Sequence, residues 1–212
     1  MTGSLVGAGT RQRVRDLATP IAAGLGRLGL TPNALTLIGF GGTAVAGWAA
    51  ASQWWLAAGV LVLAFGIFDL FDGALARATG RASSLGAFLD STFDRAGECL
   101  VYIGVAAGCL AAGSNLGAIL AASAMAASTL VSYVRAKAES LGFAPGSGLM
   151  NVGLAPREVR LVILAVGLAA AGGLGGAAAT TVIAAALAVI TTLATITVIQ
   201  RIVHVRAQAG EG

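Results

Sequence analysis

The sequence predicts an all-α integral membrane protein, six transmembrane helices preceded by an amphipathic juxtamembrane helix, and it does so on three observations. Of 212 residues, 57% are hydrophobic and only 10% charged, where a water-soluble domain carries about a quarter charged residues to keep its surface wet. Six stretches approach the roughly twenty apolar residues that cross a bilayer: 34–52, 55–76, 85–112, 115–138, 158–174 and 178–203. The charges, finally, are one-sided. With the N-terminus inside, every Lys and Arg falls in the N-terminal segment, in the second and fourth linkers with their flanking helix ends, or at the C-terminus. The first, third and fifth linkers (ASQ, AGSN, GLGGA) carry no charge. This positive-inside pattern places both termini and all the ionisable chemistry on the cytoplasmic side of the cell membrane.

Each element has its own signals. Ahead of the first span, RQRVRDLATPIAAGLGRLGL puts Val14, Leu17, Ile21, Leu25 and Leu28 at helical spacing, with Arg11, Arg15 and Asp16 elsewhere. Residues 11–30 therefore read as an interfacial helix on the inner leaflet, or more plainly as a basic anchor that sets orientation. The first ten residues are neutral and Gly-rich, without the basic-then-apolar order of a signal peptide. The first span opens with GLTPNALTLIGF, in which Thr31 can cap the helix and Pro32 suits its first turn. Glycines such as those of GFGGTAVAG would weaken a helix in water. In lipid they let backbones approach, so 31 of them predict a tightly packed bundle.

Cys99 and Cys109 share the third span at no disulfide or metal-ligand spacing and read as packing residues. The fifth span runs into GLAAAGGLGGAAA, which shows no stop. His204, beside Arg206 at the membrane edge, reads as a surface residue. No repeat or linker divides the chain, so residues 1–212 form a single membrane domain with a six-helix bundle over 34–203. The net charge of +4 suits anionic headgroups, and no nucleic-acid motif accompanies it.

Four aspartates lie beside these apolar segments, where carboxylates are costly and call for a reason. Asp69 and Asp72 are three apart, Asp90 and Asp94 four apart, so each pair projects from one helix face. Gly73 and Ala76 continue the first stripe and Gly86 the second. The intervening linker centres near Arg81, with Asp72 and Asp90 equidistant from it and Asp69 and Asp94 nearly so. In an antiparallel hairpin equal offsets mean equal depth, so the pairs face each other. Four converging carboxylates repel unless cations neutralise them, and an all-oxygen donor set favours Mg2+ or Mn2+, two ions being suited to bridging carboxylates. Two hard metals are the usual equipment for displacement at phosphorus, which implies a phosphorylated, membrane-soluble substrate.

Together Asp69, Asp72, Gly73, Ala76, Arg77, Gly86, Asp90 and Asp94 spell DxxDGxxARx8GxxxDxxxD. This pattern resembles the signature of the CDP-alcohol phosphotransferase family, integral membrane enzymes of phospholipid synthesis. The resemblance implies that Asp69, Asp72 and Asp90 are metal ligands and that Asp94 is both ligand and general base. It also implies that Gly73, Ala76 and Arg77 receive the CDP part of the lipid; helix packing alone, or for Arg77 a snorkelling end residue, is the plainer reading. The reaction implied is attack of an alcohol hydroxyl on the lipid-linked phosphorus of CDP-diacylglycerol with release of CMP, and the family often forms homodimers.

The acceptor is read from basic residues at the same membrane face: Arg135 and Lys137 end the fourth span, Arg157 and Arg160 begin the fifth, and Arg201 ends the sixth. They suit a phosphate-bearing alcohol, against the plainer reading of snorkelling helix ends. SYVRAKAE, the paired arginines and the late QR resemble actinobacterial phosphatidylinositol phosphate synthases, a branch that uses inositol 3-phosphate. REVR lacks the Pro common between those arginines, and GFAPGSGLMNVGLAP looks longer than that branch's loop. Glycerol 3-phosphate, as in phosphatidylglycerophosphate synthases, is the alternative acceptor, with serine and free inositol behind it. A cation transporter is the reading from another class. It needs a polar path to both sides, and the outer halves of the spans carry no charge.

Overall fold

The structure, a computed structural model, describes residues 20, 24, 26–27, 29–80, 82–143, 149 and 152–210, at positions 69, 70, 72 and 78 through the backbone alone. The described residues form six long helices and no strand: α1 (Pro32–Ala51), α2 (Trp55–Ala78), α3 (Ser84–Ala111), α4 (Asn115–Ser140), α5 (Arg157–Gly172) and α6 (Gly176–Gly210). These match the six expected stretches within a few residues, except that α6 continues past 203 to Gly210. The interfacial helix expected over 11–30 falls largely outside the described residues.

Local chemistry sets the helix starts. Thr31 caps α1 by accepting from the Ala34 N–H at 3.2 Å, with Pro32 in the first turn as expected. Ser83 caps α3 by accepting from the Gly86 N–H at 3.0 Å. Pro156 precedes α5 in extended geometry, so α5 begins with Arg157 already turned into the bundle. The stop that was illegible in the sequence lies at Gly173, after which the chain turns through Gly176 at φ +53°.

The helices pack as a closed ring in the order α1, α2, α5, α6, α4, α3 and back to α1. One end of the ring is filled by a small-residue core to which every helix contributes, for example Ala50, Ala58, Val105, Ala121, Leu168 and Ile183. The opposite end, where α1 and α3 begin and α2 and α4 finish, carries the charged residues and two cavities. Apolar side chains stay exposed on all six helices, among them Val45, Leu56, Ile103, Ile119, Val166 and Val189, as a surface facing lipid requires.

Four helices are long and apolar enough to cross a membrane: Pro32–Ala51, Trp55–Arg77, Asn115–Ser140 and Gly176–Gly210. The other two fall short for different reasons. Helix α3 carries Asp90, Asp94, Arg95 and Glu98 up to its midpoint, and α5 has only 16 residues, about 24 Å of helix against a hydrocarbon core of about 30 Å.

Glycines let α1 and α3 touch backbone to backbone. A Cβ added at Gly104 would run into the Gly47 backbone, and one at Gly47 would lie 2.7 Å from the Leu100 carbonyl oxygen. Gly104→Ala is therefore expected to cost about 1–3 kcal/mol by overpacking and to lower the thermal midpoint of the detergent-solubilised protein by about 5 °C. Gly41→Ala, where an added Cβ meets nothing within 4 Å, serves as the control with an unchanged or higher midpoint.

Candidate active site

The aspartates sit where helix register aims them at the open end of the ring. Asp90 and Asp94, one turn apart on α3, both line a cavity of about 400 Å³. Its other walls come from Gly66 and Ile67 of α2, Val131 and Arg135 of α4, Arg157 and Arg160 of α5 and Arg201 of α6. Asp90 also borders a second cavity of about 250 Å³, lined by Gly73, Ala76 and Arg77 of α2, Gly86 of α3 and Pro32, Asn33 and Thr36 of α1. One carboxylate thus stands between two chambers, one basic and one built largely of small residues.

Positions 69 and 72 fall on the α2 stripe that runs from Gly66 to Gly73 and Ala76, residues that line the two cavities. The side chains of Asp69 and Asp72 lie outside the described residues. Among the described residues, no three His, Cys, Asp or Glu side chains form a metal-sized group. The donors that are described, Asp90 and Asp94, are hard carboxylates suited to Mg2+ or Mn2+, so the residues present fit such an ion.

Asp94 meets two arginines among the described residues. Its Oδ2 lies 3.0 Å from Arg157 Nη1 and 3.5 Å from Arg95 Nη1, with the Asp94 side chain 15% exposed. Charge-assisted contacts at this depth are stronger and better defined than surface pairs. Arg95 is steered away from Asp94 by its second bond, Nη1 to the Ser91 carbonyl at 3.2 Å. Among the described residues, Arg157 is the nearer of the two cations that face the carboxylate.

Four of the five basic residues expected at an acceptor site line the larger cavity: Arg135, Arg157, Arg160 and Arg201. Lys137 does not, and it stands exposed in the last turn of α4. The four differ in what already holds them. Arg135 donates from Nε to Glu139 at 2.8 Å. Arg201, buried, donates to the Val131 carbonyl at 2.6 Å and the Val152 carbonyl at 3.1 Å, tying α6 to α4 and to the loop before α5. Arg160, also buried, pairs with Glu98.

Sequence reasoning missed Glu98, Thr197 and the α1 start. Glu98 continues the Asp90 and Asp94 stripe by one more turn, and its charge within a span was the available signal. Thr197 accepts from the Ala155 N–H at 3.0 Å while donating to the Leu193 carbonyl at 2.8 Å. Beside it Gly153 adopts φ +120°, and a Cβ there would collide with Thr197; no spacing in the chain announces that contact. Pro32 read as first-turn chemistry alone and Asn33 was not singled out, yet both wall the smaller cavity.

Comparison with known proteins bears on this geometry. The family model described as CDP-alcohol phosphatidyltransferase matches residues 29–209. A phosphatidylinositol phosphate synthase of Cutibacterium acnes is 38% identical over 193 residues, covering 88% of this chain and 91% of that protein. An archaetidylinositol phosphate synthase of Pyrococcus horikoshii is 38% identical over 156 residues, covering 74% and 78%. Among solved structures, Mycobacterium tuberculosis phosphatidylinositol phosphate synthase in complex with manganese and citrate aligns with a TM-score of 0.76 at 28% identity, over 89% of this chain and 88% of that one. The same enzyme with CDP-DAG bound gives 0.77 at 27% identity, over 90% and 94%.

Proposed function

The chain belongs to the CDP-alcohol phosphatidyltransferase family and is a transferase of phospholipid biosynthesis; from that premise we propose that it transfers a phosphatidyl group from CDP-diacylglycerol to inositol 3-phosphate. The observation that carries this reading is the 400 Å³ cavity, in which Asp90 and Asp94 face Arg135, Arg157, Arg160 and Arg201. A general base and anion-binding charge in one chamber suit a hydroxyl nucleophile that also bears a phosphate. Relatives named for inositol phosphate products on two different lipid backbones support the same acceptor.

In this reading Gly73, Ala76 and Arg77 hold the cytidine diphosphate in the smaller cavity with help from Pro32 and Asn33, and the acyl chains lie in the bilayer. Arg157 and Arg135 bind the acceptor phosphate, and Arg201 and Arg160 complete the wall. Asp94 accepts the proton from the acceptor hydroxyl. The hydroxyl oxygen forms its bond to the lipid-linked phosphorus as the bond from that phosphorus to the CMP oxygen breaks. Asp69, Asp72, Asp90 and Asp94 would hold the divalent ions, two in number, and the chemistry these would supply is neutralisation of negative charge during displacement at phosphorus.

Six spans are supported by the closed ring, since α3 and α5 each run between helices long enough to cross and present Ile103 and Val166 outward. The one-sided charges support a cytoplasmic active site and termini. Resemblance to the family supports a homodimer.

The test is CMP release from CDP-diacylglycerol by purified protein with manganese or magnesium, offering inositol 3-phosphate, glycerol 3-phosphate, serine and inositol separately. Release with inositol 3-phosphate alone, lost on chelation and regained on adding metal, is the expected result. Release with glycerol 3-phosphate instead would transfer the assignment to phosphatidylglycerophosphate synthesis.

A further inference from the structure

Glu98 lies one turn beyond Asp94 on α3, and Arg160 one turn beyond Arg157 on α5. Two ion pairs on successive turns therefore join these helices: Asp94 with Arg157 at 3.0 Å beside the cavity, and Glu98 with Arg160 at 3.0 Å deeper in the bundle. The deeper pair is bidentate, Arg160 Nε donating to Glu98 Oε1 and Nη2 to Oε2, both at 3.0 Å. Its side chains are 1% and 5% exposed.

Arg160 has one further job. Its Nη1 donates to the Ala155 carbonyl at 2.9 Å, and the Ala155 N–H in turn donates to Thr197 Oγ1 at 3.0 Å. Both backbone groups of a fully buried residue are thereby held by side chains of two different helices, immediately before Pro156 and Arg157. A chain leads from Glu98 through Arg160 to the turn that delivers Arg157.

A buried ion pair is poor evidence of stabilisation, because apolar side chains of similar volume often replace it without loss. What apolar side chains cannot replace is the third hydrogen bond, from Arg160 to the Ala155 carbonyl. That bond requires a guanidinium in a fixed plane, and the bidentate carboxylate sets the plane. Taking the larger cavity as the acceptor site, as proposed above, we infer that Glu98 is a positioning residue: it orients Arg160 so that Arg160 fixes the Ala155 turn and, through it, the place of Arg157 in the cavity wall. Arg160 then serves the site through the backbone it holds.

The double variant Glu98→Met/Arg160→Met separates this role from stability, with the single variant Glu98→Gln beside it. Removing both charges at once leaves neither buried unpaired, so the double variant should purify folded, with a thermal midpoint within a few degrees of the parent's, the loss of the donor to the Ala155 carbonyl being its main cost. Its Ala155 amide should exchange hydrogen at least about tenfold faster than in the parent, with protection in the ring core unchanged. Its KM for the phosphorylated alcohol should rise about tenfold while the KM for CDP-diacylglycerol moves less than about twofold. Glu98→Gln keeps one acceptor for Arg160 and should fall between parent and double variant in both readouts.

A double variant of parental stability with parental Ala155 exchange and acceptor KM would overturn the inference, leaving the pair a structural feature. Faster exchange with an unchanged acceptor KM would overturn it as well, because the held turn would then not shape the site. If the parent itself released no CMP with any alcohol, the transferase reading would fall, and unchanged exchange in the double variant would separately dispose of the strut.

Discussion

Replacing Asp94 by Asn is expected to cut CMP release by about 10²–10⁴-fold, the range a positioned general base supplies. The substitution keeps the side chain's size and can still accept a hydrogen bond from Arg157, which now lies 3.0 Å from the carboxylate. Packing is therefore preserved, and a parental thermal midpoint would show it. What is lost is the capacity to take a proton and a negative donor for a cation. These two losses are separable by titrating manganese. If Asp94 served as a ligand alone, excess metal would restore turnover; if it is also the base, the deficit persists at saturation. Unchanged release in the Asn variant would mean that the hydroxyl gives up its proton elsewhere, with Asp90 an alternative because it borders both cavities.

The six helices were legible in the sequence because two independent signals coincide, apolar runs of spanning length and linkers that alternate between charged and uncharged, whereas their order around the ring had no such signal. The equal depth read from equal offsets to the linker agrees with Gly73 and Asp90 lining one cavity, but α2 and α3 do not pack as a hairpin, because α1 stands between them in the ring. Rotation about the helix axis was harder. Arg135 and Lys137 are two residues apart, hence on different faces of α4, and an Ala-rich helix has little contrast to say which face turns inward. The buried stripe Gly117, Ala121, Ala124, Ser128 and Val131 reveals that Arg135 continues it. The same logic carries Ala194 and Thr197 of α6 on to Arg201. Contacts such as Thr197 with Ala155 stayed hidden because they join a loop to a helix across more than forty residues, where no periodicity connects them.

Arg157→Ala is expected to strike the acceptor step selectively. A guanidinium bonded to a phosphate is worth about 3 kcal/mol at the upper end for a charged hydrogen bond, so kcat/KM for the phosphorylated alcohol should fall about 10²-fold while the KM for CDP-diacylglycerol changes little. Arg157→Lys keeps the charge but not the planar fork, and should recover only part of the loss. The competing account is that Arg157 matters chiefly as the counter-ion of Asp94. Removing it would then take from a partly buried carboxylate the cation 3.0 Å away, and every substrate would suffer alike through kcat. Acceptor choice distinguishes the two. If phosphate binding is the role, the Ala variant loses its preference for inositol 3-phosphate over inositol, because the wild-type advantage comes from that contact; if the counter-ion role dominates, the preference survives at a lower rate. The 3.0 Å pair with Asp94 makes both roles physically available to one side chain. Its position at the head of α5, held by the turn before it, is what lets Arg157 reach carboxylate and cavity together.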